Sequence, residues 1–183
     1  LKKYFETSSG ITWLPDESTQ AMAYYVQGYN HFKQKQYNDA ESAFKQSVSL
    51  IKANVSKIKN KHITEEIWPD ALIRTGDCLF TKRDYKNAKL FYNQAFDKKQ
   101  GSYIYALYQR GLLEGLLGEP FEKIVTMRDL KIKYPQSEYA DDALMELGDT
   151  YAEVENFENA YQSYLELVTQ YKHSPYTNDA YLK

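Results

Sequence analysis

The side chains most often recruited for chemistry are thinly scattered along this sequence. His31, His62 and His173 stand far apart, and none has a second ligand at the short spacing that holds a metal. They read as solvated or packed imidazoles. Cys78 is the one thiol; it excludes an intrachain disulfide and reads as a small apolar group on a helix. Glu65-Glu66 and Asp141-Asp142 each set two carboxylates side by side, the residue type that general acid–base work uses. Both pairs fall near an expected helix start, where negative charge offsets the helix dipole. Gly111, Gly115 and Gly118 do not make a phosphate loop, because no Gly-Lys-Ser/Thr follows them and no strand precedes them. Asn54-Val55-Ser56 has the form of a glycosylation acceptor, a triplet common by chance. The expectation is a chain with no catalytic residue, no metal site and no cofactor, and not an enzyme.

What remains is the scaffold. Apolar residues make up 43% and charged residues 26% of 183, an ordinary globular balance that argues against disorder. The net charge of −2 offers nucleic acid no basic face, so no nucleic-acid partner is expected. No apolar run approaches the roughly 20 residues that cross a bilayer, so no membrane-spanning segment is expected. No signal peptide is visible. Tyr is abundant, 18 against 2 Trp, and can fill a helix seam while its hydroxyl stays wet.

Small and aromatic residues recur at fixed offsets. Gly28 is followed by Ala40 and Phe44, Gly76 by Ala88 and Tyr92, Gly148 by Ala160 and Tyr164. An aromatic precedes each Ala, at Tyr37, Tyr85 and Phe157. Two antiparallel helices approach closely only where side chains are small, so each Gly is expected to face its Ala across a hairpin. The aromatic, four residues on and on the same face, is expected to fill the groove toward the next hairpin. A weaker unit centres on Gly111, with Lys123 and Met127 where the Ala and the aromatic belong. It implies either looser packing or a shifted register at Gly118-Glu119-Pro120. Finally, Tyr134-Pro135-Gln136-Ser137-Glu138-Tyr139-Ala140-Asp141-Asp142-Ala143 recurs in outline over residues 171–180.

These residues resemble the tetratricopeptide repeat (TPR), with its period of about 34 residues. The resemblance implies an all-α, right-handed α-α superhelix: a TPR solenoid of about four helical hairpins with partial flanking helices. Residues 1–17 read as the tail of a preceding helix, at Leu1–Phe5, and a loop over Thr7–Pro15. Hairpin 1 is expected over 18–62, with helices Ser18–Gln34 and Asn38–Lys59. Hairpin 2 spans 63–101, with helices Thr64–Lys82 and Asp84–Lys98. A degenerate hairpin 3 spans 102–136, with helices Ser102–Leu117 and Glu119–Tyr134. Hairpin 4 spans 137–173, with helices Glu138–Val154 and Asn156–Tyr171, and a further helix begins over 174–183. Ser18, Thr64, Asp84 and Ser137 are expected caps. Pro69 marks a later start or a kink. The opening at Leu1 and the break inside a repeat lead us to expect a piece of a longer protein, with uncapped ends open to self-association.

In this family the first helix of each hairpin lines an inner groove. The glycine register would place Met22, Tyr25, Tyr29, Phe32 and Lys33 there from hairpin 1. Asp70, Ile73, Asp77 and Phe80 would follow, then Tyr105, Tyr108 and Leu112, then Asp142, Met145 and Asp149. Tyrosines with scattered carboxylates suit an extended peptide or helix of a protein partner. The chaperone-tail clamp of some TPR domains is absent: Tyr25, Tyr29, Tyr105 and Gln109 stand at the alignable positions. The junction over 134–143 and 171–180 is similar to that of bacterial envelope TPR proteins of the BamD and CpoB type. It implies a protein-binding scaffold, periplasmic or outer-membrane associated, with a cytoplasmic setting as the alternative. The rival reading is a regulatory or substrate-capturing segment of a larger enzyme or outer-membrane uptake complex. Sugar capture would want Trp pairs, and the chain has Trp13 and Trp68 alone.

Overall fold

Four antiparallel helix pairs follow one another in the structure, a computed structural model that describes residues 17–183. They are α1 (Glu17–Lys33) with α2 (Tyr37–Asn54), and α3 (Trp68–Thr81) with α4 (Tyr85–Lys98). Next come α5 (Tyr103–Leu116) with α6 (Pro120–Lys133), and α7 (Ala140–Glu153) with α8 (Phe157–Gln170). The short α9 (Thr177–Tyr181) follows, and no strand occurs among the described residues. The main contacts join each helix to the next in sequence, as in a solenoid. The helix tail and loop expected over 1–16 lie outside the described residues.

One turn geometry closes all four hairpins. Lys35, Arg83, Gly118 and Glu155 take left-handed φ of 59°, 61°, 74° and 60°. The next amide then donates five residues back: Gln36 to His31, Asp84 to Leu79, Glu119 to Glu114 and Asn156 to Tyr151, at 2.8–2.9 Å. These bonds satisfy carbonyls that a helix end leaves orphaned. The Gly118-Glu119-Pro120 turn therefore matches the others, and hairpin 3 keeps the common register. The second junction is also duplicated. The Ser137 amide donates to Tyr134 O at 3.0 Å, and that of Ser174 to Tyr171 O at 2.8 Å.

The glycines do not face the alanines. A Cβ at Gly28 would meet the Phe44 ring at 2.6–2.9 Å, and one at Gly76 the Tyr92 ring at 2.8–3.0 Å. A Cβ at Gly148 would strike the Tyr164 ring, and one at Gly111 the Met127 Cε at 2.6 Å. The aromatic thus packs on the glycine of its own hairpin, against a helix stripped of its side chain, while Tyr92 also meets Tyr105 of the next one. Met127 does the same in hairpin 3. Ala40, Ala88 and Ala160 remain buried one turn earlier. Between hairpins the close approach is made by Ala71, Ala106 and Ala143, all fully buried and each five residues before a repeat glycine.

Several boundaries differ from expectation. α2 stops at Asn54, not Lys59, although it remains longer than the other second helices. Pro69 has no N–H and its ring would clash with the carbonyl four residues back. The chain answers with a π-helical turn at Ile63–Ile67, in which the Trp68 amide reaches Ile63 O, and α3 continues from it. Ser18 and Thr64 lie inside helical turns, and Ser137 precedes α7 by more than one residue. Asp84 holds the N-cap position of α4, but its carboxylate accepts from the Asn87 side chain. Among the described residues a side-chain cap forms at Asn156, which accepts from the Asn159 amide at 3.3 Å.

Candidate binding groove

Polar residues stitch the first helices α1, α3 and α5 to one another. Asp70 on α3 accepts the hydroxyls of Tyr25 and Tyr29 on α1, at 2.8 and 2.6 Å. Two turns on, Asp77 accepts Tyr92 at 2.7 Å from its own hairpin and Tyr105 at 3.1 Å from α5. Arg74 lies between the two carboxylates. It donates to Asp77 at 2.8 Å and to the Tyr29 hydroxyl at 2.9 Å, and approaches Asp70 at 3.3 Å. Two carboxylates, one guanidinium and four phenols therefore span three hairpins.

Burial decides how these groups titrate. It holds the Asp77 carboxyl above its ordinary range, although Tyr92, Arg74 and Tyr105 all pull the other way. Burial, followed by the neighbouring aspartates, drives the phenols of Tyr25, Tyr29, Tyr92 and Tyr105 upward, so they stay protonated donors. Burial and then Asp77 push the Cys78 thiol up to about 12. That thiol is fully buried, a poor nucleophile by both measures.

The expected groove residues divide by environment. Ile73 is 1% exposed and belongs to the core, because the angular spread of one helix face carries it under the wall. Tyr25, Tyr29, Asp70, Asp77 and Tyr105 are half-buried in the seam. Phe32 packs on Tyr37 and Phe44, and Phe80 on Tyr85, so both serve their own hairpins. Met22, Leu112 and Met145 are half-buried against separate core clusters. Lys33 is exposed. Tyr108 stacks on Tyr139 with ring centroids 5.3 Å apart and an interplanar angle of 21°. Asp142 accepts the Tyr176 hydroxyl at 2.6 Å; Asp149 accepts that of Tyr164 at 2.6 Å and pairs with Lys183.

Three contributors were not expected from sequence. Arg74 is four residues after Asp70 and three before Asp77, a spacing that predicts contact on a helix. Tyr92 was assigned to the gap between hairpins rather than to Asp77. Tyr139 falls inside the expected helix Glu138–Val154, whereas it lies in the turn just before α7. Beside α7 and α8 an open cleft of about 720 Å³ is lined by Asp149, Glu153, Phe157, Tyr161, Tyr164 and Lys183, among others. Among the described residues no group of three or more His, Cys, Asp or Glu could hold a metal ion. None of the described helices is long and apolar enough to cross a membrane.

Residues 21–54 and 142–174 match models of the tetratricopeptide repeat. No curated protein matches the chain in sequence. Among solved structures it is similar to YrrB, described as a TPR protein with an unusual peptide-binding site. There the identity is 22% and the TM-score 0.63, over 84% of this chain and 69% of that one. A TPR protein from Parabacteroides merdae is 17% identical with a TM-score of 0.70, over 89% of this chain and 58% of that one. The TPR domain of Arabidopsis OM64 is 16% identical with a TM-score of 0.57, over 73% and 98%. At such identities the likeness is one of fold: the described residues form a TPR solenoid.

Proposed function

We propose that this chain is a non-enzymatic scaffold that holds an extended or helical segment of a partner protein along the wall of α1, α3, α5 and α7. The observation that carries the reading is the Asp70–Arg74–Asp77 seam. It fixes three first helices in register through half-buried bonds, so their outward surface is a preorganised docking wall, which lowers the entropic cost of binding. The Tyr108–Tyr139 stack, half-buried on that wall, is the kind of rigid aromatic anchor that dominates protein interfaces. The peptide-binding site ascribed to YrrB supports the reading by analogy of fold. A bacterial envelope setting is part of the same proposal and rests on the duplicated junction over 134–143 and 171–180.

The test is site-specific photocrosslinking in the full-length protein. A benzoylphenylalanine at position 108 on α5 is compared with one at position 162, an exposed site on α8. Partner crosslinks from 108 and not from 162 are expected. Crosslinks from 162 alone would refute the groove.

A further inference from the structure

We infer that the segment held on this wall is basic, with lysine or arginine side chains seated against Tyr108, Tyr139 and Asp142. The inference rests on the wall being the docking surface. At three places the wall sets carboxylates beside a tyrosine ring. In hairpin 2, Asp70 and Asp77 flank Arg74, whose guanidinium lies 5.7 Å from the centre of the Tyr29 ring. At the far end, Asp149 holds the ammonium of Lys183, which lies 5.7 Å from the centre of the Tyr164 ring. Between them, Tyr108 and Tyr139 stack close to Asp142, and no lysine or arginine among the described residues pairs with that carboxylate. Its partner is a neutral phenol, Tyr176.

The charge around this third place is mostly negative, although Arg74 also acts on Tyr139. α7 carries Asp141, Asp142, Glu146, Asp149 and Glu153 and no lysine or arginine. Lys123 meets Glu146 at 2.6 Å and Lys183 meets Asp149. Asp141 and Asp142 have no countercharge among the described residues. Burial, and then Asp141 and Glu146, hold the Asp142 carboxyl above its ordinary range despite the Tyr176 bond. An incoming carboxylate would be repelled here. An incoming cation would meet a carboxylate and the negative faces of two rings, the arrangement the chain itself completes twice.

A fluorescein-labelled peptide of alternating lysine and serine, with its glutamate counterpart, tests this by anisotropy against the full chain. The lysine peptide is expected to bind at least about tenfold more tightly. Asp142→Asn and Tyr108→Leu, checked by thermal melts, should each weaken it by roughly three- to tenfold. Glu65→Gln with Glu66→Gln, on the exposed turn before α3, should leave it unchanged. Equal weakening by that pair would mean that net charge alone binds the peptide, and would overturn the inference. So would equal affinity for the two peptides. If neither peptide binds while position 108 still crosslinks, the basic partner is refuted and the groove stands. If crosslinks come from 162 alone, both fall.

Discussion

Replacing Gly148 by alanine tests the packing of the whole array, because two known effects oppose each other there. Alanine favours a helix interior over glycine by about 1 kcal/mol. Against that gain, a Cβ at 148 would lie closest to Tyr164 Cε1, with Cδ1 at 2.6 Å and Cζ at 2.7 Å. The ring cannot pivot freely, because its hydroxyl is held by Asp149 at 2.6 Å. Overpacking of this kind costs about 1–3 kcal/mol, and loosening the part-exposed bond to Asp149 adds about 0.5–1.5 kcal/mol. Gly148→Ala is therefore expected to destabilise by about 0.5–3.5 kcal/mol net. Gly111→Ala is the control. Its obstacle is Met127 Cε at 2.6 Å, the far end of an unbranched and adaptable side chain, so the change should fall within about 1 kcal/mol of neutral. Urea melts followed by circular dichroism, with hydrogen exchange on α7 and α8, would measure both. The reasoning fails if Gly111→Ala loses as much as Gly148→Ala, or if adding Tyr164→Leu to Gly148→Ala recovers nothing.

Three further outcomes are expected. Tyr92→Phe removes a donor from buried Asp77 and should cost about 1.5–3 kcal/mol. Tyr164→Phe should cost less, since the Asp149 side chain is 37% exposed, and thermal melts would rank the two. Gly118→Ala should cost about 1 kcal/mol in a urea melt, purely from its φ of 74°, because no atom lies within 4 Å of the new Cβ. In acid, Glu41 and Asp77 should act in opposite directions. Burial pushes the Glu41 carboxyl up, but hydrogen bonds from Lys45 and Lys82 outweigh it, so it titrates below its ordinary range. Its ionised form stabilises the fold above the ordinary glutamate pKa, and that contribution is lost as pH falls through the folded value. Asp77, shifted upward, favours the fold in acid, and its contribution is lost as pH rises above the ordinary aspartate range. Urea midpoints between about pH 3 and 6 should fall less steeply toward acid in Glu41→Gln and more steeply in Asp77→Asn. A change of the same sign in both would refute the assignment.

The helices were legible because glycine, alanine and aromatic residues recur at one spacing in three hairpins, and that spacing survives any uncertainty about packing. What each glycine touches was not legible. Ala40 and Phe44 share a helix face, and sequence cannot say which of them reaches Gly28. Helix ends were read least well: α2 ends at Asn54 in a stretch whose lysines favour helix. At the groove the tyrosines and aspartates were found, but not their pairing, because Tyr105 and Asp77 are brought together by the rotation between hairpins rather than by any local period. Ile73 shows the converse. The register placed it on the wall, and only coordinates reveal that neighbouring helices close over it.

The joints of the array are built from different materials. Hairpins 1 to 3 are joined by the half-buried aspartate seam, supplemented by the ion pairs of Lys82 with Glu41 at 2.7 Å and Lys89 with Glu119 at 2.5 Å. Hairpin 4 is fastened to hairpin 3 by the ion pairs Lys123 to Glu146 and Lys131 to Glu166, at 2.6 and 2.5 Å, besides its apolar contacts. Dissolved ions screen an ion pair directly. The joint between hairpins 3 and 4 carries ion pairs and apolar contacts where the earlier joints also carry phenol–carboxylate bonds, so added salt bears on it through Lys123 and Lys131.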